Sequence, residues 1–217
     1  MRQDPERLVE TGYDEIAVPY QVWVSQVEDD PRLRYLGNVL KQVPGRPDSL
    51  DLGCGAGVPC TALLAERGPT IGVDISAAQV ELAGRNVPDA QFIRSSMRAL
   101  ELPPESFDLI TAFYSIPHLP REEHGDLFRR IAGWLRPGGR FLATLGHRDL
   151  DVVKDFLGVP MVTSSYDVET NRRLLIDAGF AVPVDEVVTW YGGHVTYQWV
   201  VAIKNGERTV VADRRRP

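Results

Sequence analysis

Two aspartates and three glycines carry most of the chemistry this chain advertises. The run Leu50-Asp51-Leu52-Gly53-Cys54-Gly55-Ala56-Gly57 puts a carboxylate in an apolar segment and glycines at alternate positions just beyond it. Glycines at such a turn permit backbone angles closed to other residues and let a ligand approach the main chain. A helix pattern follows, Thr61 to Arg67. If that helix begins near Val58, its free N–H groups and positive end favour an anionic group in the turn. A second apolar run, Thr70-Ile71-Gly72-Val73, ends in Asp74, seventeen positions after Gly57. An acid at a strand tip with that spacing accepts hydrogen bonds from both hydroxyls of a ribose. Strand, glycine turn, helix, strand and acid together make half of a nucleoside-binding α/β unit.

Dinucleotide folds carry Gly-x-Gly-x-x-Gly, whose last glycine allows close helix–strand packing. Here the spacing is Gly-x-Gly-x-Gly, followed by Val58, which disfavours an NAD-dependent oxidoreductase. An acid two residues before Gly-x-Gly-x-Gly resembles the first motif of the class I S-adenosylmethionine-dependent methyltransferases. Phe107-Asp108-Leu109-Ile110-Thr111-Ala112-Phe113-Tyr114 is similar to that family's fourth strand. Leu135-Arg136-Pro137-Gly138-Gly139-Arg140-Phe141 is similar to the turn before its fifth. The resemblance runs in family order over roughly residues 10 to 204.

The resemblance implies a cofactor, S-adenosyl-L-methionine, with S-adenosyl-L-homocysteine as product, and assigns residues to it. Gly53, Cys54 and Gly55 are expected to meet its methionine half through backbone atoms, with Cys54 chosen for small size. Asp51 is expected at the ammonium, with capping of the glycine turn as the alternative. Asp74 is expected on the ribose, and Ile75 against one adenine face. Ser96 and Met97 stand where the family often has an acid and an apolar residue for the adenine ring, and Ser96 departs from that pattern. Phe113 is expected beside the sulfonium, where an aromatic face favours a cation. Thr11-Gly12-Tyr13-Asp14-Glu15-Ile16-Ala17 resembles the family's entry helix, which places Tyr13 at the methionine end, with Tyr20 a second candidate.

Methyl transfer from a sulfonium needs alignment and exclusion of water, and a general base only when the acceptor is protonated. The candidate catalytic residues are His147, His118 and Tyr114. Histidine titrates near neutral pH. His147, at the end of the fifth strand and before a loop, is expected to be the better base, and His118 to be structural. Tyr166, Trp190 and Tyr191 are candidates for an acceptor pocket. Tyr114-Ser115-Ile116-Pro117 lacks the Asn/Asp-Pro-Pro-Tyr of amino-methyltransferases acting on DNA bases or glutamine. It also lacks a Pro-Cys nucleophile and the acids of metal-dependent enzymes. A small-molecule acceptor is the residual expectation. The alternative is a cofactor-binding regulator or partner subunit that transfers nothing.

Composition agrees. The 217 residues are 43% hydrophobic and 25% charged, with a net charge of −6, which gives nucleic acid no electrostatic footing. Arg214-Arg215-Arg216 is expected to be a solvated tail. Cys54 and Cys60 are the only cysteines, without metal-ligand spacing, and indicate a reducing compartment. The opening residues are unlike a signal peptide, and no apolar run approaches a membrane span. The expectation is a cytoplasmic monomer or homodimer with no metal.

The elements that must position these residues are legible as alternation. Strands are expected near 49–53, 70–74, 90–94, 107–113 and 140–146, and helices near 58–67, 76–85, 121–135 and 168–178. Helical patterning also fills the first forty residues. Alternation of this kind predicts a parallel sheet with helices on both faces. Ala181–Thr189 and Val195–Ile203, joined through Gly192-Gly193, read as a hairpin. The predicted fold class is therefore α/β: a Rossmann-like, doubly wound, mostly parallel sheet, seven-stranded by the resemblance, with a C-terminal antiparallel hairpin. The expected organisation is one domain over 1–217, with a helical cover (1–44), a core (45–204) and a tail (205–217). Residues 1–30 and 148–166 are expected to be insertions over the ligand edge.

Overall fold

The structure, a computed structural model, describes residues 4–206. The arginine-rich tail, Arg214 to Arg216, lies outside the described residues. The chain opens with two helices, α1 (Pro5–Gln26) and α2 (Arg32–Leu40). Strand and helix then alternate: β1 (Ser49–Leu52), α3 (Cys60–Ala65), β2 (Thr70–Asp74), α4 (Ala77–Asn86), β3 (Gln91–Arg94) and β4 (Phe107–Ala112). Two 3₁₀ turns, Ile116–His118 and Arg121–Glu123, lead into α5 (His124–Trp134) and β5 (Leu135–Leu145). A hairpin, β6 (Leu150–Phe156) and β7 (Val159–Ser165), precedes α6 (Val168–Asp177), β8 (Phe180–Trp190) and β9 (Val195–Lys204).

The main sheet has seven strands in the order β3-β2-β1-β4-β5-β9-β8. β1 pairs parallel with β2 and β4, and β9 runs antiparallel to both β5 and β8. The expected fold class is thus observed. β1 and β4 lie at the centre, and every residue of β1 is buried, as a strand covered on both faces requires. The strand order reverses between β1 and β4, so a crevice must open at their carboxyl ends.

Local signals set most helix starts. The Ser76 side chain accepts from the Gln79 amide at the head of α4, and Asp167 from Thr170 at the head of α6. α5 buries Leu127, Phe128 and Ile131 against the sheet face that carries Phe141 and Phe180. On the opposite face, α2 packs Tyr35, Leu36 and Val39 against Trp199, with the Tyr35 and Trp199 rings stacked 4.6 Å apart.

Two expectations change, and residues 148–166, expected to be an insertion, have a sheet of their own. β5 begins at Leu135, not near 140: Leu135 pairs with Phe107 and Arg140 with Leu109, so Arg136-Pro137-Gly138-Gly139 bulges out of the ladder, with Gly138 at φ 77°. α3 is shorter than expected, six residues starting at Cys60, because Pro59 and the preceding turn occupy its first positions. Its short length and late start remove the expected dipole at the turn. Residues 148–166 fold into the two-stranded β6–β7 sheet, whose Val159, Met161 and Val162 pack with Val9 and Ile16 of α1.

Candidate functional site

The glycine turn after β1 explains its own spacing. Gly53, Gly55 and Gly57 all have positive φ, at 72°, 55° and 77°. A Cβ on Gly53 would stand 2.2 Å from Cβ of Ser115, whose hydroxyl donates to the Leu52 carbonyl at 2.8 Å. The amides of Gly53 and Cys54 both donate to the Val73 carbonyl, at 2.7 and 3.0 Å. Main chain of the turn is thereby pinned to the tip of β2.

Asp74 closes this arrangement. One carboxylate oxygen accepts from the Gly55 amide at 2.9 Å and the other from Ser76 at 3.0 Å. Burial pushes its pKa up to about 6, against the pull of the Ser76, Gly55 and Ile75 amides, and the Asp51 charge raises it further. Asp51 is 2% exposed and accepts from the hydroxyls of Thr61 (2.6 Å) and Thr111 (2.7 Å). Burial raises its pKa as well, countered by those two hydrogen bonds. Burial holds the Cys54 thiol well above its usual value, so it is a protonated, unreactive group beside Gly72.

Two hollows with shared wall residues flank the turn. The larger lies at the carboxyl ends of β1, β2 and β4, lined by Asp74, Ile75, Ser96 and Met97 and by Phe113, Tyr114 and His118. Glu6, Val9, Tyr13 and Tyr20 of α1 complete its wall. The smaller is lined by Asp51, Cys54, Arg32 and Cys60, and shares Gly53, Gly55, Tyr20 and Phe113 with the larger. The structure therefore brings all of the expected cofactor residues, from Tyr13 to Phe113, onto these two hollows.

The histidines fall otherwise than expected. His147 turns away: its Nδ1 lies 3.1 Å from the Thr196 carbonyl, and it does not line either hollow. The cause is β9, which pairs with β5 as far as Leu145 and draws the following residues sideways onto its own backbone. His118 is the histidine in the cleft. Its Nδ1 is 2.7 Å from the Val162 carbonyl of β7 and its Nε2 is 2.9 Å from the Tyr13 hydroxyl. A carbonyl can only accept, so the network assigns the proton to Nδ1 and leaves Nε2 to accept from Tyr13. Burial pushes the His118 pKa down and that of Tyr13 well up, so both are neutral near pH 7.

Tyr114 lines the cleft in a left-handed conformation (φ 58°), and its hydroxyl donates to Asp30 at 2.9 Å. With burial and the Asp30 charge raising its pKa, it is no base at neutral pH. The proposed acceptor aromatics sit elsewhere. Trp190 is buried behind Tyr114, Tyr166 lies under Arg121 next to His124, and Tyr191 is exposed at the hairpin turn.

Sequence reasoning missed Arg32 and Asp14. Arg32 is mostly buried, pairs with Asp30 at 2.8 Å, and lies 5.1 Å from the Tyr114 ring centre. One arginine among many carries no sequence signal. Asp14 accepts from the Ser76 hydroxyl (2.6 Å) and the Ala78 amide (3.0 Å), fastening α1 to the head of α4. Its place beside Tyr13 in the entry-helix motif was the available hint. Among the described residues no group of three or more His, Cys, Asp or Glu is placed to hold a metal, and no helix is long and apolar enough to cross a membrane.

Comparison with known proteins follows this geometry. A family model described as a methyltransferase domain matches residues 50–139, from β1 to the bulge of β5. Over 92 residues the chain is 39% identical to trans-aconitate 2-methyltransferase from Escherichia coli, covering 41% of this chain and 35% of that protein. The matched stretch thus spans about a third of the length of these curated relatives. Magnesium protoporphyrin IX methyltransferase from Synechocystis PCC 6803, solved with bound SAH, superposes with a TM-score of 0.71 at 16% identity, over 93% of this chain and 100% of that one. The Burkholderia thailandensis 1,6-didemethyltoxoflavin-N1-methyltransferase superposes at 0.70 with 20% identity, over 94% and 92%. At these identities the likeness establishes a shared fold.

Proposed function

We propose that this chain, a class I S-adenosylmethionine-dependent methyltransferase by its fold and by the match over residues 50–139, methylates a small molecule in the cleft under α1. The observation that carries this reading is the pairing of a buried Asp74 with a positive-φ glycine turn on the shared wall of two hollows. S-adenosylmethionine supplies a methyl group already activated on a sulfonium. The chain's own part is to bind, orient and exclude water.

Asp74 presents its carboxylate to the ribose, with Ile75, Met97 and the Ser96 backbone around the adenine. The smaller hollow takes the amino-acid end: Asp51 faces the ammonium and Arg32 the carboxylate, a complementary pair within one lining. Phe113, Tyr20 and Tyr13 offer aromatic faces to the sulfonium. In this reading the described residues 4–44 cover a core of residues 45–204, within a single domain. Two free thiols, Cys54 and Cys60, suit a reducing cytoplasm.

The proteins of similar fold named above act on a porphyrin and a toxoflavin precursor, and a relative in sequence is named for trans-aconitate; all three support a small acceptor. Titration calorimetry with S-adenosylhomocysteine tests the reading. Saturable binding that Asp74→Ala weakens is expected, and its absence from folded protein refutes the proposal. A second reading, a cofactor-binding protein without transferase activity, draws on Ser96, which is uncharged where the family often has an acid. Turnover of S-adenosylmethionine with any acceptor excludes it.

A further inference from the structure

The larger cleft is lined by two kinds of group: polar ones, Asp74, Ser96 and the glycine turn, and aromatic ones, Tyr13, Tyr20, Phe113, Tyr114 and His118. Two arginines reach the hollows: Arg32, given above to the cofactor carboxylate in the smaller one, and Arg98 in the larger. Arg32 pairs with Asp30 at 2.8 Å. Arg98 pairs with Glu123 at 2.6 Å and Glu6 at 3.4 Å. A carboxylate acceptor in the larger cleft would have only Arg98 to pair with, and would compete there with Glu123 and Glu6. Aromatic walls instead suit a planar, uncharged molecule.

Among the aromatic residues a line of hydrogen bonds runs from the cleft into β7. The Tyr13 hydroxyl donates to Nε2 of His118, and the His118 Nδ1–H donates to the Val162 carbonyl. A hydroxyl that already donates still has lone pairs free to accept. The Tyr13 oxygen can therefore take a hydrogen bond from a ligand while passing its own proton to the imidazole. The β6–β7 hairpin holds the far end: besides the Val162 carbonyl, its Ser164 hydroxyl accepts from the Arg121 amide at 3.0 Å, tying it to the segment that follows His118.

Resting on the methyltransferase reading, we infer that Tyr13 is a proton relay between an uncharged aromatic hydroxyl acceptor and His118. As the acceptor oxygen bonds to the methyl carbon and the carbon–sulfur bond breaks, the bonding pair leaves with sulfur, giving a neutral thioether. The acceptor proton moves to the Tyr13 oxygen, and the Tyr13 proton moves to Nε2 of His118. Tyr13 ends as it began, a neutral phenol. The imidazolium that forms is held by the Val162 carbonyl. Tyr13 is the catalytic residue, and His118 acts through it. Burial, which keeps His118 neutral and Tyr13 protonated in the resting protein, puts both in the state this relay needs.

The test needs no turnover. Full-length protein with ¹⁵N-labelled histidine is saturated with S-adenosylhomocysteine, then titrated with 4-nitrophenol and, separately, with trans-aconitate. Before the probe, His118 is expected to show a protonated Nδ1 and a bare Nε2. With 4-nitrophenol, the Nε2 signal is expected to move toward its protonated position. Tyr13→Phe is expected to bind the probe yet lose that movement. trans-Aconitate is expected to bind at least about tenfold more weakly. The relay is overturned by the opposite tautomer, by a stationary Nε2 signal, by movement that persists in Tyr13→Phe, by tighter binding of trans-aconitate, or by no binding of 4-nitrophenol. Protein that fails to bind S-adenosylhomocysteine fails earlier, at the cofactor reading, and the relay falls with it.

Discussion

The floor of the cleft and its cover are built by different means. The floor is backbone: three positive-φ glycines, amides pinned to the Val73 carbonyl, and two buried aspartates whose oxygens accept from amides or hydroxyls. The cover is side chain. α1 is tied down by Asp14 at the head of α4 and by the ion pairs Glu10–Arg94 and Glu6–Arg98, and packs through Val9 and Ile16 on the β6–β7 hairpin. Backbone constraint is rigid and nearly independent of solvent. Exposed ion pairs are weak and screened by salt. A site that must enclose a ligand and release it gains from this division: the floor keeps its geometry while the cover can open at small cost.

Substitutions can break or sharpen the contrast, and the floor should prove the more fragile. Gly53→Ala places a Cβ 2.2 Å from that of Ser115, at a φ of 72°. It should destabilise the protein by about 3 kcal/mol or more, read from urea unfolding. An effect below about 1 kcal/mol would mean the turn is softer than described.

Asp74→Ala comes next. It should weaken S-adenosylhomocysteine binding by about 1.5–3 kcal/mol, measured by calorimetry. The same carboxylate makes binding pH-dependent. With its pKa at about 6, affinity should fall as pH drops through that value and the group protonates. Stability of the free protein should respond in the opposite sense. The folded pKa lies above the unfolded one, so this group's contribution improves on acidification through about 6 toward the ordinary aspartate range. Affinity and melting temperature should therefore diverge between those limits, and parallel changes would remove Asp74 as their cause.

The cover should respond less. Asp14→Ala removes two hydrogen bonds to the head of α4, and should cost about 1 kcal/mol while speeding proteolysis within α1. Glu10→Gln leaves Arg94 unpaired on the surface, and should cost no more than about 0.5 kcal/mol, a difference that vanishes in high salt. A cover substitution that outweighed Gly53→Ala would overturn the comparison.

The same division governs what could be read in advance. Asp51, the glycines and Asp74 were legible because strand, turn and acid follow one another within a short stretch, and their spacing states their geometry. The mostly parallel sheet and its antiparallel end followed from alternation and the terminal hairpin. That His147 would lie away from the hollows was not legible, for the opposite reason. His147 and His118 each follow a strand of the parallel part of the sheet, and their surroundings are set by β9 for one and by β7 and α1 for the other, which meet them from far along the chain. The β6–β7 hairpin escaped notice because its short strands surround Leu157-Gly158 with mixed polar residues, and its apolar side finds a partner only in α1.

Sequence alone thus determined the α/β class, the alternation of strands and helices with a terminal hairpin, and the acid–glycine–acid frame of the cleft floor, all of which rest on local conformational preference and short spacing. Tertiary structure alone decided that Arg32 lies in the smaller hollow, that His118 faces Tyr13, and that His147 faces a β9 carbonyl. Those outcomes depend on where separate segments meet once buried, and burial sets the protonation of Asp74, Tyr13 and His118 through neighbours that are remote in the chain.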